Sequence, residues 1–395
     1  MTEKINIPQG YKDSPLGIIP EEWEVKRLGE VCTFLDSQRI PIKDADRGKM
    51  QGKYPYYGAS GIIDYVNDYI FDDDLILLGE DGANIIMRST PLAFLVNGKV
   101  WINNHAHVLK TKSGFSRYYV CNYLESLSYD KYNTGTAQPK LNREVCEKIP
   151  VLLPPEEEQN SISELLTTWD TAIEKQSELI EKLKLRKRAL MQQLLTGKKR
   201  LPGFSGEWKE VKLGDVFDER NETNRDDLPL LSITGDKGVI YQSDSDKRDI
   251  SNDDKSKYKR ICPNDIGYNT MRMWQGRSAL SELEGIVSPA YTIVTPRESV
   301  NVRFMAMLIQ QPRVVYDFWT HSQGLVSDTL NCKYPDFCQV KVRIPTEEEQ
   351  TAIASVLVKA DKEIELAKEK LANLQSQKRG LMQQLLTGKK RIIHK

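Results

Sequence analysis

The chain has 395 residues, 39% of them apolar, and equal numbers of acidic and basic side chains. That length supports two or more domains with real cores. Zero net charge argues against a protein that coats nucleic acid through bulk charge, and six cysteines scattered without a C-x-x-C pair argue against a disulfide framework or a metal site.

The first residues, MTEKINIPQG, have neither a basic start nor an apolar core for export, and apolar runs such as LILLG (75–79) are far too short to span a bilayer. A cytoplasmic protein is expected. Next comes EEWEVKRLGEV (21–31). Its Glu24-Val25-Lys26 could be half of a nuclease metal site, but the same tripeptide recurs at 210–212 with no upstream acid matched in both copies. A short framework strand is the plainer reading. Arg39, Lys43, Arg47, Lys49 and Lys53 then precede YPYYGASG (54–61), which sets Tyr57 beside a cluster of cations. Further on, NNHAHVLK (103–110) supplies Asn104 and His105, and GTAQPKLN (135–142) supplies Lys140. His105 and His107 would share one face of a strand, and such pairs are more often hydrogen-bonded structural residues than metal ligands.

A long helix is expected over 154–200. Pro155 sits where a first-turn proline is tolerated, and Gly197 sits where a C-terminal cap is needed. Between them Ile162, Leu166, Trp169, Ile173, Gln176, Ile180, Leu183, Lys187, Leu190 and Leu194 follow alternating steps of four and three, the seam of a coiled coil. Glu156 to Glu181 contains eight acids and one lysine, whereas Lys182 to Arg200 contains eight basic residues and no acid.

The linker RLPGFSGE (200–207) begins a second half. SGEWKEVKLGDV (205–216) repeats the earlier tryptophan segment, aligning Trp208 with Trp23. Lys247, Arg248, Lys257, Lys259 and Arg260 lie in a basic stretch that continues into YNTMRMWQGR (268–277), which carries Asn269, Arg272, Trp274, Gln275 and Arg277. These side chains suit base edges: arginine can bridge guanine O6 and N7, while asparagine or glutamine can bridge adenine N6 and N7. The blander reading is a mixed-charge surface. GLVSDTLN (324–331) then occupies the place of GTAQPKLN.

The last element repeats the first helix without a gap. GLMQQLLTGKKR (380–391) differs from ALMQQLLTGKKR (189–200) only at its first residue, so Gln350 matches Gln159 and Asp361 matches Asp170. Thr346 and Glu349 have the spacing of a capping box, the seam continues through Ile353, Leu357, Ala360, Ile364, Ala367, Leu371, Leu374, Lys378, Leu381 and Leu385, and Gly388 ends it. This helix too is acidic and mixed early and basic late, so antiparallel pairing sets opposite charges together and suits the helix dipoles.

No nucleotide-binding glycine loop, nucleophile elbow, zinc-protease motif or amino-methyltransferase motif occurs. The order of variable domain, helix with LPPEEEQ and LMQQLLTGKKRLPGF, second variable domain and second helix resembles the DNA specificity subunit of a type I restriction-modification enzyme over essentially the whole chain. GEDGANI (79–85), NNHAHVLK, DIGYNTMRMWQGR (265–277) and GIVSPAY (285–291) resemble stretches of its target recognition domains more loosely. The resemblance implies an α+β protein in which two α/β recognition domains, 1–153 and 201–344, are separated by spacer helices at 154–200 and 345–395 that form an antiparallel coiled coil with pseudo-two-fold symmetry. It also implies a non-catalytic subunit that reads a split target in double-stranded DNA and serves two DNA methyltransferase (modification) subunits and, where present, restriction subunits. S-adenosylmethionine, ATP and magnesium would belong to those partners, with no cofactor or metal in this chain. The alternative is a coiled-coil assembly scaffold that does not read DNA.

Overall fold

The computed structural model describes residues 7–235, 237–245, 253–324 and 330–392. It divides into two compact units, Met1–Ser177 with Glu369–Lys395, and Glu178–Lys368. Among the described residues, no helix is long and apolar enough to cross a membrane.

The first unit opens with β1 (Glu24–Arg27) and β2 (Cys32–Phe34), followed by the hairpin of β3 (Gln51–Gly58) and β4 (Gly61–Val66). Then come β5 (Leu75–Gly79), β6 (Ala93–Val96), β7 (Lys99–Ile102), β8 (Ala106–Thr111), α1 (Arg117–Ser126), β9 (Pro150–Leu153) and the long helix α2 (Glu156–Leu194), which runs on into the second unit. The main sheet has the order β2-β8-β5-β6. Every residue of β5, the LILLG run, is buried, as a strand with neighbours on both edges and cover on both faces should be. Tyr119, Val120 and Leu124 of α1 pack over Ile76, Leu78 and Leu109 in one core that also takes Ile162 and Leu166 of α2 and Met382, Leu385 and Leu386 from the end of the second long helix. Glu24-Val25-Lys26 lies in β1, which pairs antiparallel with β9; it is framework.

The second unit is built on the same plan. It contains β10 (Lys209–Lys212), β11 (Phe217–Glu219), β12 (Leu231–Ile233), β13 (Val239–Tyr241), β14 (Lys259–Ile261), β15 (Ile266–Asn269), β16 (Ser278–Leu280), β17 (Gly285–Val287) and β18 (Tyr291–Pro296). α3 (Val302–Leu308), α4 (Pro312–His321), α5 (Tyr334–Gln339), β19 (Lys341–Ile344) and the long helix α6 (Glu347–Leu385) follow. The sheet order β11-β18-β15-β16 matches β2-β8-β5-β6 strand for strand, and β10 pairs with β19 as β1 pairs with β9.

Each unit fixes its helices by the same contacts. In the first, Lys378 Nζ meets Asp170 Oδ1 at 2.5 Å and Arg391 Nη2 meets Glu158 Oε2 at 2.9 Å. In the second, the matching pairs are Lys187 with Asp361 at 2.5 Å and Arg200 with Glu349 at 2.5 Å. Within each unit the residue number on one helix rises as its partner's falls, so the paired stretches are antiparallel, as the charge runs require. A lysine in the seam is explained as well, because Lys187 and Lys378 each answer an aspartate across the helix pair. Gln159 accepts from Ser116 N and donates to Pro154 O, both at 2.9 Å. Gln350 does the same with Asn301 N and Pro345 O, at 2.9 and 3.0 Å. Ser116 and Asn301 are the N-caps of α1 and α3, so one glutamine in the first turn of each long helix fixes the start of the helix in the globular part.

Gly197 and Gly388 end the helices in the left-handed conformation, at φ +68° and +71°, where glycine carries no steric penalty. A Cβ at Gly388 would also lie 2.5 Å from Pro20 Cδ. The capping box expected of Thr346 and Glu349 is not what holds the start of α6, because Glu349 gives both carboxylate oxygens to Arg200.

Candidate nucleic-acid interface

The equivalent sheets end in equivalent loops. β5 stops at Gly79, opposite Ala106 at the start of β8, and β15 stops at Asn269, opposite Tyr291 at the start of β18. The next residue in each unit donates its amide back across the sheet, Glu80 to His105 O at 2.8 Å and Thr270 to Ala290 O at 3.2 Å. Its carbonyl then accepts from the segment before the next short helix, Leu141 N at 2.7 Å and Cys332 N at 2.9 Å. This places Leu141 opposite Cys332 in the repeat, two residues beyond the Leu330 that sequence similarity selects.

On this common backbone the side chains differ. In the first unit Arg39, Asn104, His105 and Lys140 gather at the end of β5 around two carboxylates that sequence reasoning passed over. Arg39 Nη1 bonds Glu80 Oε2 and Ala106 O, both at 2.7 Å, Lys140 Nζ lies 3.4 Å from the other Glu80 oxygen, and the exposed His105 holds Asp81 at 2.8 Å. The signal was present in the sequence: a Glu-Asp-Gly turn directly after an apolar strand puts acids at its end. Asn104 is exposed, and its carbonyl accepts from Arg39.

The other candidate cations of this half, Lys43, Arg47, Lys49 and Lys53, sit in or just before the β3–β4 hairpin. Arg47 bridges Asp44 at 2.7 Å and Asp64 at 3.0 Å and covers the Tyr56 ring. Lys49 lies 3.6 Å from Asp46, Lys53 lies over Tyr54, Lys43 is exposed, and Tyr57 is half-buried against Phe94.

His107, one turn of the pleat from His105, is interior. Its Nδ1 meets Asp36 Oδ2 at 2.7 Å and its Nε2 donates to Leu141 O at 2.8 Å, so both ring nitrogens carry protons. Burial by itself would lower its pKa, but the Asp36 hydrogen bond, with that of the Cys146 thiol, outweighs it and holds the group at about 10 against an ordinary 6.5. Burial raises Asp36, and the His107 contact more than reverses that, leaving it below its ordinary 3.8. The stabilisation due to His107 is therefore complete below about pH 6.5 and is lost as pH rises toward 10; that due to Asp36 is present above 3.8 and is lost in acid. The stability gap between the protein and a His107→Gln variant should shrink by roughly 3–5 kcal/mol between pH 6 and pH 10. Paired urea titrations across that range check it; a gap independent of pH would show that His107 is neutral in the fold.

In the second unit Lys247 and Arg248 lie outside the described residues. Lys257 is exposed, Lys259 lies 3.6 Å from Glu219, and Arg260 is held by Glu222 at 2.9 Å and by Glu284. Asn269, Arg272, Trp274, Gln275 and Arg277 lie together beyond β15. Asn269 Oδ1 accepts from Met271 N and Trp274 Nε1 donates to Met271 O, each at 3.0 Å, which shapes the turn; Gln275 is exposed. Arg272 and Arg277 line a cleft of about 490 Å³ with Asn269, Thr234 and Tyr291. Among the described residues, neither guanidinium has a hydrogen bond or an ion pair. No group of three or more His, Cys, Asp or Glu that could hold a metal occurs among them either.

Comparison with known proteins gives three findings. Residues 20–185 match the family model for the type I restriction modification DNA specificity domain. The type I restriction enzyme MjaVIII specificity subunit of Methanocaldococcus jannaschii is 24% identical over 95% of this chain and 94% of its own, and the EcoprrI specificity subunit of Escherichia coli is 26% identical over 41% of this chain and 40% of its own. Among solved structures, the S subunit of a type I restriction-modification system from M. genitalium shares the fold with a TM-score of 0.58 at 12% identity, covering 98% of this chain and 99% of that one.

Proposed function

Because the chain belongs to the family of type I restriction-modification DNA specificity subunits, we propose that it reads a DNA target in two parts, one for each globular half, and directs partner subunits to it. The observation that carries this is the repeat itself. Two units share a framework down to matched hydrogen bonds and ion pairs, yet end their equivalent strands in different polar and charged side chains. A scaffold that only assembled partners would have no use for that difference.

In this reading the chain performs no chemistry. Two modification subunits bind S-adenosylmethionine and methylate adenine, and restriction subunits use ATP and magnesium to cut. The chain acts with them in the cytoplasm. Phosphate contacts position a protein on a duplex, while base contacts specify the sequence. A chain of zero net charge fits this division when the partners close around the DNA and share the phosphate contacts. The test is co-production of the chain with the modification subunits of its host, followed by mapping of methylated adenines in the genome of the producing cell. Methylation at two short sequences around a fixed gap is expected. Methylation with no common sequence, or none with every subunit present, would refute the reading.

A further inference from the structure

We infer that Arg272 and Arg277 read a guanine in the half-site of the second domain. The inference rests on the reading above and adds to it the identity of a base.

Their state and their place in the fold together set these two arginines apart, since Arg313 and Arg343, which also lack a carboxylate pair among the described residues, line a different cleft that holds Glu210 and Asp317. Arg220, Arg225, Arg260, Arg297 and Arg303, in the same half of the chain, each already meet a carboxylate within 3.0 Å. Turning any of them to DNA would break an existing pair. Arg272 and Arg277 have no such pair among the described residues, are exposed, and face one cleft together. Among the described residues, no acid lines the cleft. The Arg277 guanidinium lies against the backbone of Gly235, where a Cβ would come 2.0 Å from its Nη1, so that glycine leaves the guanidinium the room it occupies.

The chemistry then selects the base. A guanidinium offers donors in a fixed fork and no acceptor. The base edge that presents two adjacent acceptors in the major groove is guanine, through O6 and N7; adenine and cytosine place an amino group there, and thymine pairs one acceptor with a methyl. The first unit shows the opposite character at the same place, since Asp81 and Glu80 are acceptors and its cations are already committed to them. The inference therefore applies to one half of the target only.

The test uses the full chain with its modification subunits and maps methylated adenines for the natural chain, Arg272→Gln, Arg277→Gln, Arg277→Lys and the control Arg297→Gln. Arg297 is exposed and paired with Asp218, away from the cleft. Loss of a bidentate base contact should lower methylation of the natural site about ten- to a hundred-fold. The relaxed position should be one G·C pair in the second half, with the first half and the Arg297 control unchanged. Arg277→Lys keeps the charge and loses the fork, so it should relax the same position. An even loss across all sequences, spared by Arg277→Lys, would mean a phosphate contact and overturn the inference. So would relaxation at an A·T pair, or full activity in both glutamine variants, with the two-part methylation of the natural chain intact in each case. A natural chain that directs no methylation overturns the proposed function, and this inference with it.

Discussion

Replacing Arg200 by methionine is expected to destabilise the protein far more than the same change at Arg391, although the two residues match in the repeat. Arg200 bonds both oxygens of Glu349 at 2.5 Å, and that carboxylate, only 2% exposed, has no other hydrogen bond among the described residues. Its counterpart Glu158 accepts from Arg391 Nη2 at 2.9 Å, but also from Trp23 Nε1 at 3.0 Å and Ile392 N at 3.2 Å. The second unit has no equivalent of the Trp23 bond, since Trp208 Nε1 is buried without a partner. A buried carboxylate stripped of its one partner costs about 3–5 kcal/mol. One that keeps two neutral donors should cost about 1–3 kcal/mol, the range for a disturbed buried hydrogen bond. Thermal unfolding of the two variants measures the difference, and adding Glu349→Gln to Arg200→Met should recover much of the loss. Equal losses at both positions would show that the extra donors on Glu158 contribute nothing.

The second large effect is on specificity. Under the proposed function, a chain whose residues 1–153 come from a type I restriction enzyme specificity subunit should acquire a new sequence in one half of its methylated target and keep the other half unchanged. The reason lies in the contacts that join the first globular part to the helix that follows. They run through Trp23 to Glu158, Ser116 N to Gln159 and Ser116 Oγ to Ser163, with β1 and β9 closing the frame. An incoming domain that supplies a tryptophan and a capping residue at those places can bond the same helix. Sequencing of methylated adenines in cells producing the hybrid decides the matter. A change in both halves, in a hybrid that still assembles, would show that the two domains do not read independently.

The helices were legible because a period of three and four residues, repeated without a gap, leaves only one face to bury. Ile162, Leu166, Ile180, Ile353, Leu357 and Ile364 are all buried as that spacing demands. Their direction was legible because eight acids followed by eight basic residues can be neutralised by a neighbour in one orientation only. The globular parts were less so. A list of cations does not distinguish Arg39, Arg47 and Arg260, each closed on carboxylates, from Arg272 and Arg277, which are not, because Glu80, Asp64 and Glu222, which close them, lie 17 to 41 residues away in the sequence. The two-residue displacement that sets Leu141 beside Cys332 was hidden for a related reason. Register there is fixed by a backbone bond to the end of a strand, and the resemblance between two Leu-Asn pairs carries no information about that bond.

The first unit is assembled from two pieces of chain, and the second from one continuous stretch. During synthesis the whole of 178–368 is made before the last 27 residues of the first unit. Until they arrive, Ile162 and Leu166 lack Met382, Leu385 and Leu386, and Glu158 lacks Arg391. Domains tend to fold in the order in which they emerge, but here the half translated first is the half completed last. Its early segments must stay soluble with part of their core uncovered while the later half folds. A stalled or prematurely terminated chain would release a finished second unit joined to an unfinished first one, which gives the quality-control machinery of the cell exposed apolar surface by which to recognise the fragment.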